Sequence, residues 1–140
     1  MIAVIIGITL GFLMILLVTF LKGFDKGIIY GLMLAGIGFL YVGYTWSNMQ
    51  ELIINIVQAI VFFLLAYYGM KKSLYISAIG YFLHGSWDLA YNLIPNEDLL
   101  PPHYDLFCWS IDFTIGFYLL VYKYNCDRKV NRVTAASLAI

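Results

Sequence analysis

His84, Asp88 and Asp112 stand inside two long apolar segments, and their types and spacing are those of groups that move protons or hold cations. A charge in hydrocarbon costs at least ~2.5–3.5 kcal/mol on insertion scales, so such residues are rare in membrane helices and mark functional sites. Histidine changes its charge near neutral pH, and two carboxylates beside it make an acid–base set that can give or take a proton. One imidazole with two carboxylates also suits a divalent metal. Carriers use similar helix-borne acid and His residues to relay protons or cations. The three candidate chemical residues are therefore His84, Asp88 and Asp112, and the same three are the ligand set if a divalent metal binds.

The segments that must position them are set by composition. Of 140 residues 63% are hydrophobic and 11% charged, with a mean hydropathy of +0.87. Soluble domains have about 45–50% apolar and about 25% charged residues. The formal net charge is zero, which gives no support to nucleic-acid binding. Five windows reach the length of a spanning helix: about 2–21, 27–44, 52–68, 73–94 and 104–122. Lipid satisfies no backbone polar groups, so these windows are expected to be helical. Met1–Leu21 lacks a basic start and a small-residue cleavage site, and reads as a retained membrane helix. Residues 125–140 read as a short, frayed cytoplasmic tail.

All eight basic residues fall in the first loop (Lys22, Lys26), the third loop (Lys71, Lys72) and the C-terminal region (Lys123, Arg128, Lys129, Arg132). Glu51, Glu97, Asp98 and Asp105 fall on the other side. The excess of Lys and Arg places the first side in the cytoplasm and the N-terminus outside. Cys108 and Cys126 belong near opposite faces, which excludes a bridge between them. Gly7 and Gly11, and Gly27 and Gly31, form small-residue faces that suit packing within the bundle or a homodimer seam.

Depth brings three polar stripes to one layer. At 1.5 Å per residue, Asp88 lies ~10 Å, His84 ~16 Å and Asp112 ~12 Å below the outer surface, with Asn55 at ~6 Å and Gln58 at ~10 Å. His84, Asp88 and Asn92 share a helix face with Tyr91; Glu51, Asn55 and Gln58 share another; Asp105, Trp109 and Asp112 share a third. Turned toward each other, the stripes make a polar pocket open to the outside. Glu51, Asn55, Gln58, Trp87, Tyr91, Asn92, Asp105 and Trp109 are its expected ligand-binding residues. Taken one at a time, each of these residues also fits a structural role: a His–Asp pair between helices, interhelical amide bonds, interfacial tryptophans.

The string Leu83-His84-Gly85-Ser86-Trp87-Asp88 resembles an uncharacterised family of small bacterial multi-pass membrane proteins. The family pattern runs leucine, leucine, His, Thr, Gly, Trp, Asp, then a His pair, and further on a Cys with an Asp four residues after it. His84, Trp87 and Asp88 match the first part, and Cys108 and Asp112 the second. Gly36-Ile37-Gly38-Phe39-Leu40-Tyr41 is similar to the family's Gly-rich stretch. Tyr91 and Asn92 stand where the family has its His pair, which removes two metal ligands from that pattern. The resemblance implies a bacterial inner-membrane location and supplies no activity. A looser analogy of chemistry links His84 and Asp88 to sterol-isomerase-type membrane enzymes.

The expected protein is an all-α integral membrane bundle of five transmembrane helices in one domain, 1–124, with an outer-leaflet His/Asp/Asp site. Its expected role is to bind, or do proton-transfer chemistry on, a lipid-like or amphipathic molecule. The alternatives are a proton- or cation-coupled carrier component and a structural subunit of a membrane complex. No cofactor beyond a divalent metal is implied.

Overall fold

In the computed structural model, residues 1–91 and 101–138 are described. They form five helices: α1 (Ile2–Phe20), α2 (Lys26–Tyr44), α3 (Met49–Lys71), α4 (Leu74–Tyr91) and α5 (Tyr104–Leu138). α1, α2, α3 and α5 are each long and apolar enough to cross a membrane. α4 falls short of that mark because the hydropathy of its eighteen residues is lowered by His84 and Asp88. The protein is an all-helical bundle of the membrane type.

Local signals explain the boundaries. Asp25 caps α2 by accepting from the Gly27 and Ile28 amides, and Asn48 caps α3 by accepting from those of Gln50 and Glu51. α3 outruns its apolar window at both ends because polar residues continue a helix as readily as apolar ones where water meets it. The same reason corrects the expected frayed tail: α5 runs on as helix to Leu138. Residues 123–138 contain neither Gly nor Pro, so nothing stops the helix after its apolar part.

The short connections make neighbours antiparallel. α4 packs most extensively on α5 and also touches α3 and α2, which puts it at the centre. α1 lies at the edge, mainly on α5, with most of its large side chains exposed toward the surroundings. Its contact with α5 needs glycine. A Cβ on Gly7 would meet Ser110 Oγ and the Phe107 carbonyl, and one on Gly11 would sit 3.0 Å from Thr114. Gly31 is covered by Met70 and Ala66 of α3, so both small-residue faces have a partner within one chain.

One half of the bundle has an apolar core containing Val18, Tyr30, Leu34, Ala66, Ala78, Tyr81, Ile115 and Leu119. At its rim Lys26 lies 4.7 Å from the Tyr122 ring centre and donates to Tyr118 at 3.3 Å, while Lys71 and Lys72 lie over Tyr67 and Tyr68. Lysines that lay their stems on apolar surface and end on ring faces are what a membrane boundary selects. Cys108 and Cys126 are both free thiols, carried on the same helix, α5.

Candidate functional site

Two helices deliver the ionisable group. His84 and Asp88 are one turn apart on α4 and face inward, and Asp112 faces them from α5. His84 Nδ1 lies 2.7 Å from Asp112 Oδ2 and 3.5 Å from Asp88 Oδ2. The interhelical partner is thus nearer than the i, i+4 partner. His84, Asp88 and Asp112 are 2%, 1% and 3% exposed, and one ligand atom from each lies within 4.8 Å of the others. The described residues contain one such His/Asp/Asp group.

α2 supplies a component absent from the sequence expectation. Tyr41 donates its hydroxyl hydrogen to Asp88 Oδ1 at 2.7 Å, fully buried. Its ring lies 6.2 Å from that of His84, and Phe62 of α3 meets the imidazole edge-on at 4.8 Å. The signal for Tyr41 is present in two forms: the Gly-rich stretch that it ends, and its i, i+4 spacing from Thr45 near the outer end of α2. Tyrosine near a helix end reads as an interfacial anchor unless the partner helix is known.

A second network sits toward the α2–α3 connection. Tyr91 donates to Glu51 Oε2 at 2.8 Å and accepts from Asn55 Nδ2 at 3.1 Å. Asn55 also donates to Thr45 Oγ1 at 3.2 Å, and Thr45 donates to the Tyr41 carbonyl at 2.8 Å. The α2–α3 hairpin makes this junction, since the short connection from Thr45 to Asn48 sets Thr45 opposite Asn55. The Tyr41 and Tyr91 rings, 4.8 Å apart, join the two networks by an edge contact.

The structure gathers Glu51, Asn55 and Tyr91 in the second network and places Trp87 beside Tyr91, with ring centres 6.2 Å apart. Gln58 is buried with neither amide atom bonded among the described residues. Asp105 is half-buried in the first turn of α5. Asn92 lies outside the described residues. Trp109 goes elsewhere: it lies on Phe113, in a ring cluster with Phe82 and Phe117 along the α4–α5 flank. Three positions along a helix fall short of a full turn, so Trp109 is angled away from Asp112 and reaches the flank instead. The aromatic walls of His84 are therefore Tyr41 and Phe62.

The expected open polar pocket is also corrected. The three ionisable residues are covered, and none of them lines the lateral, mostly apolar cavity of about 640 Å³ between α3 and α4, whose wall includes Phe62. Val57, Gln58, Phe62, Leu83, Trp87 and Ala90 are among its walls. Its outer rim includes exposed apolar side chains, Val57 and Leu83 among them, together with the exposed Ser86.

Chemically, the site is an oriented imidazole. With Asp112 as carboxylate, Nδ1 carries the hydrogen that bonds it, and Nε2 presents its lone pair. Nε2 has no partner among the described residues, and neither does Asp88 Oδ2 by hydrogen bonding. Buried polar atoms are nearly always bonded, so this concentration of unbonded ones needs a reason.

A family model matches residues 2–124, and its family is one of unknown function, DUF6010. The chain belongs to that family, in agreement with the resemblance read from His84-to-Asp88 and Cys108-to-Asp112. No curated protein and no solved structure matches it.

Proposed function

We propose that His84, Asp88 and Asp112 form an intramembrane acid–base centre acting on an amphipathic small molecule. The observation that carries this reading is the His84 ring: Nδ1 is tied to Asp112 at 2.7 Å while Nε2 is left without a partner among the described residues. A carboxylate that orients an imidazole and balances its positive charge leaves the far nitrogen as the working base or acid. Asp88, fixed by the Tyr41 hydroxyl, is the second carboxylate facing the charge that develops on the ring. In this scheme His84 Nε2 takes a proton from a carbon or oxygen of the ligand and returns one to the product, so no oxidant or leaving group is required.

The test is deuterium exchange. The full chain is reconstituted in vesicles of total bacterial lipid extract in heavy water, and the lipids are followed by mass spectrometry. Time-dependent deuterium uptake at carbon in one lipid class is expected, abolished in His84→Gln and reduced at least tenfold in Asp112→Asn. Wild-type uptake no faster than in protein-free vesicles overturns the proposal.

A second reading rests on the 4.8 Å grouping of His84, Asp88 and Asp112, which suits a divalent cation. The donor set of one imidazole and two carboxylates fits a borderline ion such as Zn²⁺ or Mn²⁺, on condition that the Nδ1–Asp112 contact opens. Metal analysis of the purified chain separates the readings, with one equivalent lost in Asp88→Asn expected for the cation site. The carrier alternative is tested in the same vesicles with an entrapped pH dye: an acid–base centre produces no net proton flux.

A further inference from the structure

The α3–α4 cavity has three properties that define an occupant. It opens sideways between two helices, one of which is long and apolar enough to span a bilayer, so its mouth faces hydrocarbon. Among the described residues its lining contains no Asp, Glu, Lys or Arg. Its inner wall includes Gln58, which is 5% exposed, and Trp87; the Gln58 amide oxygen and nitrogen and the Trp87 indole nitrogen have no hydrogen-bond partner among the described residues. Surface grooves between membrane helices are ordinarily apolar throughout, because an unbonded buried amide is costly there.

Those atoms amount to one acceptor oxygen and three N–H donors, two on Gln58 and one on Trp87. An alcohol oxygen, with one O–H to give and two lone pairs to receive with, can meet the acceptor or up to two of the donors. A volume of about 640 Å³ is within the range of ligand sites and exceeds what a hydroxyl alone fills. The apolar walls from Ile53 to Val61 on α3 and from Leu83 to Ala90 on α4 suit an alkyl or isoprenyl chain. An ionised headgroup would find no countercharge among the described residues of these walls.

We infer that the α3–α4 groove is a binding site for an uncharged, hydroxyl-bearing lipid taken from the surrounding bilayer, with its alcohol bonded by Gln58 and Trp87 and its chain along Val57 and Leu83. Occupancy of the groove does not depend on chemistry at His84. Phe62, which lines the groove and touches the imidazole, is the wall between the two.

The experiment is photolabelling of the full chain in phosphatidylcholine vesicles with a diazirine-bearing hexadecanol. A chain-matched diazirine-bearing hexadecane is the control, and adducts are mapped by peptide mass spectrometry. With the alcohol probe, labelling of α3 and α4 groove residues is expected to exceed that of lipid-facing Ile5 and Phe12 on α1 at least fivefold. Excess unlabelled hexadecanol is expected to remove the difference, and hexadecane to leave it. Gln58→Leu, which keeps the apolar wall, should cut groove labelling at least fivefold, and Trp87→Phe, which keeps a ring, about twofold or more. His84→Gln should leave it unchanged, which separates this site from the acid–base centre. Equal labelling of groove and α1, equal groove labelling by the two probes, or unchanged labelling in both Gln58→Leu and Trp87→Phe overturns the inference.

Discussion

The two halves of this bundle are made of the same helices and solve opposite problems. Around Tyr30, Leu34, Ala66, Ala78 and Leu119 the helices meet through small and apolar side chains, with lysines resting on tyrosine rings at the edge. Around His84 the same helices meet through two carboxylates, an imidazole, two phenols and an amide, nearly all fully buried. The apolar half shows that this backbone can be packed without charge. A buried ion pair is seldom more stabilising than apolar residues of like volume, so the two halves are not interchangeable ways of holding the same helices together.

That contrast can be broken most directly at Asp112. Asp112→Leu takes from the buried imidazole its nearest partner, and a destabilisation of about 3 to 5 kcal/mol is expected in a detergent unfolding titration. Replacing all three of His84, Asp88 and Asp112 by Leu removes the charges together and should restore stability to wild type or raise it by about 1 to 4 kcal/mol. A triple variant as unstable as Asp112→Leu would mean that the group is held for packing after all.

The next effect lies on the apolar side. Gly7→Leu pushes a side chain into Ser110 and the Phe107 backbone, so α1 must move off α5. A loss of about 1 to 3 kcal/mol is expected for such overpacking, read by the same titration. It should leave deuterium exchange at the acid–base centre within about twofold of wild type, since α1 donates nothing to that centre.

Tyr41→Phe is a smaller and sharper probe. It removes the bond to Asp88 and keeps the ring between His84 and Tyr91. The stability change should be about 1 kcal/mol, the scale of interhelical hydrogen bonds in membranes. The exchange rate should fall by much more than that change in stability explains. The smallest effect belongs to Gly36, where an added Cβ meets nothing within 4 Å. Gly36→Ala should stabilise by about 0.5 to 1 kcal/mol through lost backbone freedom in the unfolded chain. A clear loss there would show that α2 has a partner outside this chain.

The helices themselves were legible because the signals for them are local. Runs of apolar residues and the distribution of lysines and arginines each act within a few residues. Depth was legible for the same reason: a fixed rise per residue puts His84, Asp88 and Asp112 in one layer once the spans are known. The break in this logic was the far end of α5, where polarity read as fraying while helix propensity carried the chain on to Leu138.

Sequence by itself determined that five apolar helices exist, that ionisable groups sit inside two of them, and that those groups share a depth. Only the tertiary structure decided who faces whom. It gave His84 to Asp112 rather than to its own-helix neighbour, brought in Tyr41 and Phe62, turned Trp109 to the flank, and opened the cavity sideways between α3 and α4. The physical reason is that spacing along a helix fixes height and relative angle, while the rotation of each helix is set by its neighbours. Here that rotation follows from glycines such as Gly7 and Gly31, which choose the contact faces and leave the remaining sides to meet each other or the lipid.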